Sequence, residues 1–148
     1  MVKLYVSDLS VNYETSSGDV HALENVDFQL EDNESIGIAG ESGCGKSTLG
    51  LSIIKMIQGG KIIAGEITLG EKSILNMSES EFDDIIRWKE ISMVFQGAMN
   101  SLDPVFTIEQ QFDQILKQHN FTGDFKKTMY NSLDTVNLSH SILKKYPH

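Results

Sequence analysis

The chain has 148 residues, 40% of them hydrophobic and 22% charged, and a formal net charge of −9. That length suits one domain with a core of its own, the composition is ordinary for a soluble globular protein, and the acidity argues against nucleic acid as a partner. The single cysteine excludes an internal disulfide and fits a reducing compartment, and no apolar run approaches the length of a membrane span.

Val2, Leu4 and Val6 alternate with Lys3, Tyr5 and Ser7, which predicts a half-buried opening strand and no secretory leader. Residues 12–19 are polar and end in the turn Ser16-Ser17-Gly18-Asp19, so Tyr13 is expected in a loop. Val26, Phe28 and Leu30 alternate again. Glu31-Asp32-Asn33-Glu34 then predicts a tight reversal into a buried strand over residues 35–39.

The nine residues Gly40-Glu41-Ser42-Gly43-Cys44-Gly45-Lys46-Ser47-Thr48 match the P-loop spacing of glycine, four residues, then Gly-Lys-Ser/Thr. Leu49, Ile53, Met56 and Ile57 follow at helical spacing, so a strand, a glycine-rich turn and a helix come in the order that the motif needs. Glycines let the backbone curl until several N–H groups point inward around an anion, beside the positive end of the new helix. Lys46 supplies a charge for β- and γ-phosphates, and the Ser47 hydroxyl is placed to ligate Mg²⁺. Cys44 has no assigned role, but a helix N-terminus and a neighbouring lysine favour its thiolate.

Gly59-Gly60 is expected to stop the first helix, and Ile67-Thr68-Leu69 reads as a short strand closed by Gly70-Glu71. Ser78 with Glu81 fits a capping box ahead of an apolar stripe of Phe82, Ile85 and Ile86, against which Trp88 is expected to pack. Residues 91–95 read as a further strand, ending in a loop over 96–104. Thr107 with Gln110 caps a helix carrying Ile108, Phe112, Ile115 and Leu116. A last helix follows Gly123, with Phe125, Met129, Leu133 and Val136 as its core face. His21, His119, His140 and His148 show no ligand spacing. The first two-thirds therefore reads as mixed α/β and the last third as mainly helical.

The spacing of Lys46 to Gln96 resembles the nucleotide-binding subunits of ABC transporters. The string Met93-Val94-Phe95-Gln96-Gly97-Ala98-Met99-Asn100-Ser101-Leu102-Asp103-Pro104 is similar to the oligopeptide, dipeptide and nickel importer branch. The likeness runs from the first strand to Tyr146-Pro147-His148. It implies a P-loop NTPase α/β domain, with residues 1–95 forming the N-terminal core with an antiparallel β-subdomain. Residues 96–148 would form the Gln loop and the start of the helical subdomain. It further implies ATP and Mg as cofactors, Tyr13 stacked on adenine, residues 40–48 around the phosphates, and Gln96 at Mg²⁺ and the attacking water. Partners would be membrane-spanning permease subunits and a second ATP-binding subunit, at the cytoplasmic face of the membrane. Gly97-Ala98 replaces the acid-Pro pair common in the family.

Other features of that family are not found in these residues. No run of four apolar residues precedes Asp-Glu, Leu138-Ser139-His140-Ser141 lacks the signature glycines, and no switch histidine can be placed. The expectation is thus the N-terminal half of an ATP-binding subunit, whose P-loop strand would be an uncovered edge. The alternative is a non-hydrolysing nucleotide-binding remnant. A GTPase would need Asn-Lys-x-Asp, which is absent, and a small kinase an arginine-rich lid, whereas Arg87 is the only arginine.

Overall fold

The computed structural model describes residues 2–97 and 101–148, with nothing described of the Val2 side chain. Ala98, Met99 and Asn100, part of the string that carries the importer resemblance, therefore lie outside the described residues. The chain divides into two compact units, Met1–Met93 and Val94–His148.

The first unit is built on a four-stranded antiparallel sheet. Its strands are β1 (Val2–Thr15), β2 (Gly18–Glu31), β3 (Gly60–Leu69) and β4 (Lys72–Ser73), in the order β2-β1-β3-β4. The sequence period of β1 slips by one residue, since Leu4 and Val6 are inward and then Leu9 and Val11. The cause is a bulge: Asp8 adopts a left-handed φ of 50°, its N–H is held by Asp27 Oδ1 at 2.8 Å, and β1 shifts register against both neighbours. Gly65, on β3, makes room for it. A Cβ there would lie 2.5 Å from Leu9 Cα, and its φ is 102°. Without the bulge, Leu9 and Val11 would face solvent.

Between the sheet and the first helix, α1 (Lys46–Ile53), the chain runs extended through residues 34–41. This corrects the expected buried strand: residues 31–44 are all exposed, with Ile36 at 42% and Ile38 at 52%, and they join no sheet among the described residues. Residues 92–95 differ in the same way, with only Ile91 in a bridge, to Arg87, and Val94 86% exposed. Apolar alternation marks residues fit for a strand. Pairing also requires a partner strand, and none of the four pairs with either segment among the described residues.

Helix α1 also ends sooner than Gly59-Gly60 suggests. Lys55 takes a left-handed φ of 53°, the Lys55 N–H reaches Ser52 O at 3.1 Å and the Met56 N–H reaches Leu51 O at 2.8 Å, a Schellman stop built on lysine. Met56 is left 41% exposed. Helix α2 (Glu79–Ile85) is capped by Ser78, whose Oγ accepts from the Glu81 N–H at 3.2 Å. Phe82 and Ile86 are fully buried and Ile85 is turned out. Trp88 does not pack back on α2. It sits at φ 63° and is 60% exposed, because the space over the Phe82 ring is taken by Arg87 and Lys55. The core joins the inner face of the sheet to Leu49 of α1, Ile74, Phe82 and Ile86.

The second unit holds α3 (Ile108–Gln118), α4 (Phe125–Thr135) and a short 3-10 helix, His140–Lys144. The capping box of Thr107 and Gln110 is complete, and Asp124 Oδ1 accepts from the Lys127 N–H at 3.0 Å to start α4. Asn120 and Asn137 end the two helices in left-handed conformation. Met129, Leu133 and Leu143 form the buried core, flanked by Ile108, Phe112, Leu116 and Phe125. Val136 and Ile115, expected on the core faces, are 60% and 55% exposed. Val136 caps the end of α4 and has left its stripe, while Leu116 rather than Ile115 meets α4.

Candidate phosphate-binding site

The residues 40–48 form an open loop on the first unit. Two of its glycines are required by geometry. Gly43 has φ 82°, and Gly45 has φ 94° and lies so close to β2 that a Cβ would sit 2.5 Å from Ala22 O. Gly45 thus anchors the loop on the sheet while serving as the N-cap of α1. No side chain caps that helix, and its first turn holds no acid. The leading N–H groups of α1 are left for an outside acceptor, at the end of the helix where an anion is favoured.

Lys46 turns back over the loop. Its Nζ donates to Gly40 O at 2.8 Å, to Glu41 O at 2.5 Å and to Cys44 Sγ at 3.2 Å, while the Cys44 N–H reaches Glu41 O at 3.3 Å. Among the described residues no carboxylate pairs with this ammonium, so a phosphate entering the loop would supply a counter-charge. The hydrogen bond from Lys46 lowers the pKa of the exposed Cys44 thiol, favouring the thiolate. Ser42 and Glu41 are exposed loop positions, and Thr48 accepts from Ser52 Oγ through its carbonyl at 2.7 Å. Ser47 is exposed in the first turn of α1, its hydroxyl without a hydrogen bond among the described residues. A cation there would need the ligand's own oxygens, since no group of three or more His, Cys, Asp or Glu gathers among the described residues.

Tyr13 is not in a loop. It lies in β1, opposite Val20 and Gly60, and its half-buried ring covers Gly60, where a Cβ would come within 2.9 Å of it. The ring also belongs to the margin of the core. Gln96 lies in the second unit, exposed, in a turn with Gly97 at φ 75°. One contributor has no signal in the sequence: the Ala22 carbonyl that seats Gly45.

A glycine-anchored loop feeding an uncapped helix and folded around a lysine defines a P-loop phosphate-binding domain of α/β architecture. The chain belongs to the ABC transporter family, whose model matches residues 23–147. It is 35% identical over 151 residues to the oligopeptide transport ATP-binding protein AppD of Bacillus subtilis, covering 98% of this chain and 46% of AppD. It is 34% identical to the oligopeptide transport ATP-binding protein OppD of Escherichia coli, covering 98% and 44%. Identity to the dipeptide transport ATP-binding protein DppD of Lactococcus lactis is 40%, covering 79% and 34%. The chain thus spans less than half the length of these relatives. The solved dimeric structure of the bacterial ABC transporter cassette MJ0796 superposes with a TM-score of 0.82 at 23% identity, over 97% of this chain and 61% of that one. The same cassette is known in a post-hydrolysis state bound to ADP and Pi. Among the described residues no helix is long and apolar enough to cross a membrane.

Proposed function

We propose that this chain supplies the P-loop half of the ATP-binding subunit of an ABC importer for peptides. The observation that carries this reading is the loop 40–48, with Gly45 seated on Ala22 O, an α1 without a side-chain cap and a Lys46 ammonium that meets no carboxylate among the described residues. Residues 40–48 would wrap the phosphates, Lys46 would exchange the Gly40 and Glu41 carbonyls for phosphate oxygens, and Ser47 would complete the shell of a phosphate-bound Mg²⁺. ATP is the nucleotide favoured, through the family and through relatives that are ATP-binding proteins. Peptide is favoured over nickel because the relatives are oligopeptide and dipeptide transport proteins.

Tyr13 would offer the free side of its ring to adenine, and Gln96 would meet Mg²⁺ and the attacking water. Membrane permease subunits and a second ATP-binding subunit are the partners that such a subunit needs, at the cytoplasmic face of the membrane. Hydrolysis requires a base or polarising acid near the water and a second phosphate clamp. Neither is found at the loop among the described residues, which supports binding without turnover in this chain by itself. The test is an equilibrium titration of the 148-residue chain with Mg-ATP. Saturable binding is expected, weakened by about a hundredfold in Lys46→Met through loss of the charge-assisted contact to phosphate. Equal affinity in the two proteins would remove the assignment.

A further inference from the structure

Arg87 has no part in the function proposed above, yet its guanidinium is among the most contacted groups of the first unit. Nη2 donates to the carbonyls of Ile54 at 3.2 Å and Lys55 at 3.5 Å, the two residues that close α1. Nη1 donates to the Asp83 carboxylate, and Nη2 lies 3.6 Å from Glu79 Oε2. The guanidinium rests 5.1 Å from the centroid of the buried Phe82 ring. Lys55 joins the same cluster, its Nζ donating to Met77 O at 2.6 Å and standing 3.5 Å from Glu79. Only a planar fork can serve two carbonyls and two carboxylates at once.

The position of this clamp matters more than its strength. It grips the C-terminal end of the helix whose N-terminal end carries the P-loop. Helix α1 is about 12 Å long at 1.5 Å per residue, so the Arg87 charge is too distant and screened to act on a phosphate directly. It acts on where the helix lies. The chain just after Arg87 comes close to α1 a second time, since a Cβ on Gly50 would lie 3.3 Å from Met93 Cε. Arg87 pairs in addition with Ile91, and the Trp88 N–H reaches Ile91 O at 2.9 Å. Residues 87–93 are thus hydrogen-bonded to the end of α1 through Arg87 and approach its middle through Met93, and they lead in sequence to Gln96.

We propose that Arg87 is a positioning residue for the nucleotide site, clamping the rear of the P-loop helix to the segment 87–93 so that phosphate binding displaces both together. This rests on the nucleotide-binding reading above. Trp88, the only tryptophan and 60% exposed, provides a reporter within that segment. The 148-residue chain, Arg87→Gln and Arg87→Lys are titrated with Mg-ATP, following bound nucleotide and Trp88 emission separately, with circular dichroism to verify folding. In the unchanged chain emission should shift with the binding curve. In Arg87→Gln affinity should fall about tenfold and the emission shift should vanish, as expected for loss of coupling between packed elements. Arg87→Lys keeps the cation over Phe82 without the fork, so it should fold like the parent and still lose most of the shift; if Arg87→Gln does not fold, this variant decides. Parent-like affinity together with a parent-like emission shift in Arg87→Lys overturns the proposal. Absence of saturable binding in the unchanged chain would overturn the nucleotide reading and this inference with it.

Discussion

At the scale of single residues, the loop 40–48 is proposed as an anion site, and its cation is already turned into it. Lys46 bonds to two loop carbonyls and to Cys44 Sγ, so one side chain links phosphate affinity to thiol acidity. Removing Lys46 should therefore raise the pKa of Cys44. At neutral pH Cys44 of the unchanged chain should alkylate faster than an ordinary exposed thiol, and Lys46→Met should move the rate–pH profile to higher pH. Mg-ATP should slow alkylation of the unchanged chain and leave Lys46→Met unaffected. Rates measured with a small alkylating reagent decide this, and equal rates with and without nucleotide would sink the link. The motif and the role of Lys46 could be read from sequence because they depend on residue types at fixed spacing. Tyr13 was misplaced into a loop because polar neighbours masked a strand in which its ring serves as cover for Gly60.

At the scale of elements, the helix starts were legible and the stops less so. Ser78, Thr107 and Asp124 each accept from a first-turn N–H, a local rule visible in the sequence for the first two. Asn120 and Asn137 are residues that tolerate the left-handed stop, but Lys55 is not, and nothing in its neighbourhood announces that α1 ends there. The sheet was read in pieces because the Asp8 bulge breaks the period on which the reading relied. In the second unit three buried side chains, Met129, Leu133 and Leu143, carry the packing between α3, α4 and the 3-10 helix. Leu133→Ala should cost about 3 kcal/mol, since a core this small has little left to close the cavity. Denaturant unfolding followed by helical circular dichroism measures it, and a loss below about 1 kcal/mol would show that the cluster is not the core of that unit.

At the scale of the whole molecule, the family, the fold and the P-loop are in place. The two extended segments that carry the P-loop and Phe95 have no partner strand among the described residues. Their apolar pattern is that of strands in a covered sheet, and such exposed edges favour aggregation. Sequence periodicity describes the environment a segment suits and is silent on whether a neighbour is present, so both strands were read and neither is paired. The proposed chemistry divides along the same line: Lys46 and Ser47 would hold a phosphate, whereas among the described residues no group of acids gathers at the loop. The most direct test is retention of γ-labelled Mg-ATP by the 148-residue chain, with the recovered label separated into ATP and free phosphate. Retained label that stays in ATP, and is absent with Lys46→Met, is the predicted result; no retention, or steady release of labelled phosphate, would contradict it.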